Sequence, residues 1–552
     1  MTDVVAKLQT LVPEVTLLVG AVLAALLGLS RRKQVRDAVP WVTIATLLAA
    51  MVAVPFFNQL DGTTAAGLLM PMLGGTFKLG ILAVAVLLCL LTVGLVDRRL
   101  EQAFATGRAP FDAMRTIRGE FYAFFLLSIT GLSLVCSARD LVWLFLALEL
   151  TSLPTYIMVA LSRGSRRAQE AAVKYFFLGA MASAVFLYGF ALLYGATGTL
   201  VLTDMRGTFA LQASTGGVSN LAVIGMILTV LGLCFKIAAA PMHFYAADVY
   251  EGAAAPVTAF LAFVPKAAGM LALMLLLGTM GWSGHSMIVD SIGFRQPIEG
   301  LPQPVVTVLW MIATLTMTLG NVGALLQRSV KRMLAYSSIA HSGYMLIGII
   351  AGPTTGLAAV LFYLFAYGIM NTAAFAVLAG LERRGEEIES LDDLAGLRQR
   401  HPGMSVVMAL AAGSLMGLPP LLGFWGKLYL FIAGVQAGHV PLVVIAAVNS
   451  AIAAWYYLRL VGLPILSRPS PQSETIGNGL SVWPRVAGVL GAVGVIVLPL
   501  LLRPMFDTAA LAVSGYAKAD SPTAPAGTLA AKALASESLA SEALASEQES
   551  AD

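Results

Sequence analysis

Apolar stretches recur along almost the whole chain, separated by short polar connections. They run near residues 12–29, 38–57, 78–96, 121–138, 141–161, 171–194 and 219–240, then 254–278, 304–326, 331–351, 355–381, 404–435, 441–465 and 484–502. A bilayer core needs roughly 20 mostly apolar residues per helix, so the pattern predicts an all-α polytopic membrane protein of about 14 transmembrane helices. Met1 to Thr10 carries little positive charge and the run from Val12 to Leu29 is long enough to span, so the N-terminal stretch reads as a first transmembrane helix and not as a cleavable signal. After Arg503 the chain changes character and ends in ALASESLASEALASEQES, a low-complexity repeat without a wide apolar face.

Charge follows the same alternation. Arg31, Arg32, Lys33 and Arg36 follow the first helix, Arg98, Arg99, Arg108, Arg115 and Arg118 the third, and Arg163, Arg166 and Arg167 the fifth. Arg328, Lys331 and Arg332, then Arg383, Arg384, Arg398 and Arg400, then Arg468 and Arg485 continue the pattern on later odd connections. By the positive-inside rule these connections face the cytoplasm, and both termini face away from it. The connection after Lys236 departs from this, with Asp248 and Glu251 and no basic residue. Those carboxylates either favour cation entry or are ordinary interfacial groups.

Composition narrows the class further. The 552 residues are 58% hydrophobic and only 12% charged, with a mean hydropathy of +0.83. A net charge of +4 is too small and too dispersed for nucleic-acid binding. Cys89, Cys136 and Cys234 all lie in apolar runs without ligand-like spacing, which argues against disulfides, iron–sulfur clusters and zinc.

The candidate chemistry lies in ionisable residues within the spans. A charged side chain at mid-bilayer costs about 2.5–3.5 kcal/mol on insertion scales, so each one implies a partner or a function. Glu149, in LVWLFLALELTSLPTY, shares a helical face with Ser152 and Tyr156. Lys236 precedes Pro241 by five residues, and a proline there breaks or kinks the helix just past the lysine. A nearby carboxylate holds the proton that a desolvated lysine would otherwise lose, which makes Glu149 the plausible tuner of Lys236. Lys266 follows Pro265, with Thr258 two turns earlier, and Lys427 follows the Pro419–Pro420 interruption in GLPPLLGFWGKLYLF. Lys174 can pair with Glu170 or snorkel, as readily as it can relay protons. His341, beside Ser337, Ser338 and Ser342, fits either proton conduction or hydrogen-bonded packing. His243 lies at the break after Pro241, near the cytoplasmic mouth.

Two interrupted, lysine-bearing helices fall in the second halves of successive five-helix blocks, helices 4–8 and 9–13, a pointer to repeated transporter architecture with sites at mid-membrane. The expected organisation is therefore residues 1–120 for the first three helices and a loop, 121–280 for a first repeat, 301–466 for a second, 467–503 for the last helix and 504–552 for an outer tail. The lysine and proline orders differ between blocks, and no carboxylate in the tenth helix matches Glu149.

The segments DVYEGA and PVTAFLAFVPKAA, with KRMLAYSSIAHSGY and GLPPLLGFWGKLY, resemble the subunit N family of bacterial NADH-quinone oxidoreductase, respiratory complex I, over roughly residues 10–500. Lys427 distinguishes it from the similar subunit M family, which carries glutamate there. The resemblance implies that Glu149 and Lys236 form the ion pair of a proton channel, with Lys266 as central relay, Lys427 on the outward side and Lys174 and His341 as accessory groups. It implies a translocase subunit that pumps protons while neighbouring antiporter-like and peripheral subunits of complex I carry flavin, iron–sulfur clusters and quinone, this chain itself having no dinucleotide fingerprint and no cofactor. Relatives usually show tryptophan or proline where this chain has Ala246 and Ala247. The alternatives are a subunit of a cation/proton antiporter, which would use the same lysines, and a non-transporting membrane scaffold.

Overall fold

The computed structural model describes residues 8–518, apart from 58–64, 66, 109, 283–286, 290–294, 298–299, 354, 384–385 and 480. Helices α1 (Val12–Gly28), α2 (Lys33–Phe57) and α3 (Pro71–Thr92) lead through the short α4 (Arg98–Ala105) into α5 (Arg118–Val135), α6 (Leu141–Ser162) and α7 (Arg166–Thr197). Next come α8 (Leu202–Thr215), α9 (Asn220–Lys236), the brief α10 (Ala246–Gly252) and α11 (Ala255–Met280). The second half comprises α12 (Gln303–Leu325), α13 (Val330–Ala351), α14 (Gly356–Gly380), the single turn α15 (Leu391–Leu394), α16 (Pro402–Met416), α17 (Leu422–Gln436), α18 (Val440–Leu466), α19 (Trp483–Val497) and α20 (Leu502–Lys518). The strands are marginal: β1 (Met287–Val289) pairs with β2 (Arg295–Pro297), and β3 (Leu381–Arg383) lies between β4 (Glu386–Glu387) and β5 (Ile476–Asn478).

Among the described residues, 11 helices are long and apolar enough to cross a membrane, and the three shorter apolar helices are Val12–Gly28, Asn220–Lys236 and Pro402–Met416. Together they fall where the apolar stretches of the sequence lie. Two of those stretches are not single helices. The stretch at 219–240 ends as helix at Lys236, and the one at 404–435 is split into α16 and α17 around Pro419 and Pro420. By contrast α11 runs uninterrupted through Pro265, beside Lys266.

The three most enclosed helices form the centre. Every residue of α11 is buried, and 94% of the apolar window of both α13 and α14 is buried, against 33% for α2. A helix apolar on most sides could equally face lipid, so it is the burial of every residue that places α11 inside the bundle. Phe177, Trp455 and Leu466 on the perimeter are exposed, as suits side chains that face lipid. Small residues let the inner helices cross closely. A Cβ on Gly131 of α5 would sit 2.4 Å from the Thr151 nitrogen of α6, and one on Gly320 of α12 would sit 2.6 Å from the Ala340 nitrogen of α13.

Two expectations change. The outer tail foreseen from residue 504 begins as helix: Phe506 of α20 packs on Tyr429 of α17 with ring centroids 4.4 Å apart, and Ala509, Ala512 and Val513 are buried. Spacing of three to four residues among Phe506, Ala509, Ala512 and Val513 explains this apolar face; residues 519–552 lie outside the described residues. Lys78, the first residue of the apolar stretch at 78–96, lies inside α3, which starts seven residues earlier, and is fully buried, 2.7 Å from Glu14 of α1. Ser133 of α5 donates to the same carboxylate oxygen at 2.6 Å.

Candidate functional site

Glu149 and Lys236 meet where α9 ends. The Lys236 Nζ donates to Glu149 Oε1 at 3.1 Å and to Ser152 Oγ at 2.5 Å, while Ser183 Oγ of α7 donates to the same glutamate oxygen at 2.6 Å. The lysine side chain is 1% exposed and the glutamate side chain 17%. Ser152 thus joins the site as its place on the Glu149 face suggests. Tyr156 does not: among the described residues its buried hydroxyl has no hydrogen-bond partner, and its ring packs edge-on against Tyr175 at 4.5 Å.

The chain leaves α9 at Lys236 and turns through Ile237 to Tyr245, with Ala238 in the left-handed region at φ 53°. Irregular backbone at membrane depth survives only where protein or water satisfies its polar groups. Here Ser342 of α13 donates to the Ile237 carbonyl, and Thr316 of α12 accepts from the Ala240 nitrogen at 2.9 Å. Gly269 of α11 lies against the turn, where a Cβ would come within 2.6 Å of Ile237. Both halves of the chain therefore hold the break.

Lys266 projects from α11 onto α13. Its Nζ donates to Ser338 Oγ at 2.7 Å and to the Ser338 carbonyl, and lies 5.0 Å from the centre of the Tyr367 ring. Thr258 is not part of this contact, because its hydroxyl bonds back to the carbonyls of Tyr250 and Ala254. His341, one turn along α13, is buried and bonded on both nitrogens, to Tyr363 Oη at 2.6 Å and Tyr457 Oη at 2.8 Å. Tyr457 also hydrogen-bonds Ser337. Lys427 begins the second turn of α17, where its Nζ donates to the Met416 carbonyl at 2.9 Å and to Ser450 Oγ at 3.2 Å, over the Tyr344 ring. Among the described residues no carboxylate forms an ion pair with Lys266 or Lys427, and no group of three or more His, Cys, Asp or Glu is placed to hold a metal ion.

Lys174 stands apart from these buried groups. It is half-exposed and pairs with Glu170 at 2.7 Å and Asp248 at 3.4 Å. Asp248 and Glu251 are not free acids at an entrance, since Arg332 contacts them at 2.9 and 3.0 Å. Beside them Arg163 binds Glu389 at 2.8 Å and also Glu387, and Lys331 binds Glu389 at 2.9 Å. Burial alone would raise the Glu389 carboxyl, but Lys331 and Arg163 outweigh it and hold this group below its ordinary range.

Tyr363, Tyr457, Ser183 and Ser450 were not singled out by their sequence contexts. Each is one polar group on an apolar helix whose partner comes from elsewhere in the chain. Tyrosine at a deeply apolar position was the available signal, because a buried hydroxyl usually finds a partner.

Comparison with known proteins fits this arrangement. The family described as "NADH:quinone oxidoreductase/Mrp antiporter, TM" matches residues 138–453. A protein named NADH-quinone oxidoreductase subunit N from Paramagnetospirillum magneticum is 34% identical over 506 residues, 91% of this chain and 96% of the relative. One of the same name from Trichlorobacter lovleyi is 43% identical over 344 residues, covering 62% of this chain and 66% of that one. A chain in the structure titled respiratory complex I from Thermus thermophilus with bound aureothin superposes with a TM-score of 0.69 at 33% identity, over 90% of this chain and 99% of its own length. The polytopic helical bundle, its two broken helices and these similarities together mean that the chain belongs to the NADH:quinone oxidoreductase/Mrp antiporter family of membrane subunits, in its subunit N branch.

Proposed function

We propose that this chain translocates protons as a membrane subunit of an NADH-quinone oxidoreductase, through a relay that starts at the Glu149–Lys236 pair. The single observation that carries the reading is that pair: a buried lysine at the broken end of a helix, held by a carboxylate from another helix. With Glu149 alongside, Lys236 keeps its proton; when the pair is drawn apart, the desolvated ammonium gives it up. The proton leaves Lys236 as the neutral amine and converts Lys266 to its ammonium, then moves by the Ser337, Tyr457, His341 and Tyr363 row towards Lys427. Moving one charge against 100 mV requires about 2.3 kcal/mol, which the partner subunits must supply by separating the pair and so lowering the proton affinity of Lys236.

Residues 121–280 and 301–466 act as two repeats around α11, with the basic connections on the cytoplasmic side of the bacterial inner membrane and both ends of the chain on the other. Flavin, iron–sulfur clusters and quinone belong to partner subunits, whose electron transfer drives the separation of Glu149 from Lys236. Lys174, outside the buried path, serves the inner surface. In reconstituted membranes the assembled Lys236→Ala enzyme is expected to stop pumping. Full pumping by that variant overturns the reading.

A further inference from the structure

The contacts that frame Glu149 are repeated around Ser338. Before α6, Asp140 bridges Val201, the Leu141 nitrogen donates to the Leu200 carbonyl at 3.0 Å, and the Leu202 nitrogen donates to the Arg139 carbonyl at 2.9 Å. Before α13, Ser329 bridges Ser390, the Val330 nitrogen donates to the Glu389 carbonyl at 2.8 Å, and the Leu391 nitrogen donates to the Arg328 carbonyl at 3.1 Å. Asp140 caps its helix through the Trp143 nitrogen and Ser329 through the Arg332 nitrogen. The close crossings match too, Gly131 on Thr151 and Gly320 on Ala340. Every second member follows its counterpart by one constant interval. Counted from Glu149 that interval ends on Ser338, and from Ser152 it ends on His341.

Two equivalent positions therefore carry different chemistry. In the first half a lysine meets a carboxylate; in the second, Lys266 meets a hydroxyl and a main-chain carbonyl. We propose that Ser338 is a positioning residue for proton transfer, whose neutrality keeps Lys266 a pass-through group and leaves the chain one charge switch instead of two. This rests on the relay reading above. A carboxylate at Ser338 would clamp the Lys266 ammonium as Glu149 clamps Lys236, and the proton would stay there. A hydroxyl orients the amine without holding the charge.

The test compares Ser338→Asp with its neutral isostere Ser338→Asn in the assembled, reconstituted complex, with proton pumping per NADH as the readout and Lys236→Ala as reference. Pumping by Ser338→Asp is expected to fall about tenfold or more, the ratio that corresponds to ~1.4 kcal/mol of extra hold on the proton. Ser338→Asn, which changes the contact with Lys266 without adding a charge, is expected to lose several-fold less pumping per NADH than Ser338→Asp, and the loss in Ser338→Asp to ease as acidification protonates the new carboxyl. Should the Asp and Asn pair not assemble, Ser338→Glu and Ser338→Gln repeat the comparison. Unimpaired pumping by Ser338→Asp overturns the proposal, as do equal losses in the charged and neutral variants. If Lys236→Ala also pumps fully, the relay itself is wrong; if Lys236→Ala stops while Ser338→Asp pumps, only the role of Ser338 fails.

Discussion

Lys331, at the foot of α13, donates to the main-chain carbonyl of Glu251 in α10 at 3.0 Å. It donates equally to the Ala253 carbonyl, so one cation closes the C-terminal end of α10, where unpaired carbonyls concentrate negative charge. Glu387 then accepts from the Ala255 nitrogen at the start of α11 at 2.9 Å, and Arg163 ties both glutamates to the end of α6. The helices that carry Glu149, Lys266 and His341 are thus joined at one end by a single charged cluster.

Acid should loosen that cluster in a defined direction. Glu389 has a folded-state value below its ordinary 4.5. A depressed carboxyl contributes stability that is fully present above the ordinary value and is lost as pH falls through the folded one. The Tm of the purified complex is expected to decline below pH 4.5, and less steeply in Glu389→Gln. Parallel profiles for parent and variant would exclude this assignment.

Glu14 and Lys78 make a separate prediction. Removing one partner leaves a buried charge uncompensated and typically costs about 3–5 kcal/mol, whereas replacing both with apolar side chains is often neutral. Lys78→Met alone should lower thermal stability sharply, and adding Glu14→Leu should recover much of it. Additive losses in the double variant would show that the pair is not one unit.

Tyr457 tests the row beyond Lys266. Its hydroxyl is bonded to both Ser337 and His341, and Tyr457→Phe removes that link while keeping the ring. Pumping is expected to slow about tenfold, equivalent to roughly 1.4 kcal/mol in the barrier, with assembly preserved. Parent-rate pumping by Tyr457→Phe would take the residue out of the path.

What could be read in advance was chemistry that acts locally. Pro241 and Pro419 announce breaks because proline lacks a donor and clashes with the preceding turn, and the helices do stop at Lys236 and Met416. Glu149 and Ser152 share a face by helical periodicity alone. What stayed hidden depends on distant partners. The partner of Asp248 is Arg332, which comes from α13, and that of Lys78 is Glu14, two helices away. His341 has two bonding partners, from α14 and α18, that no spacing rule brings together.

The complete enclosure of α11 bears on biogenesis. Its window has a mean hydropathy of 2.1, so the segment is apolar enough to cross a bilayer. Once inserted it must exchange lipid for protein on every face, and Lys266 lacks its Ser338 contacts until the later α13 exists. The helix is a keystone set before the arch that needs it. Closure of the bundle around α11 therefore waits on α13, and an intermediate lacking the second half would hold the Lys266 ammonium in the bilayer without its Ser338 contacts.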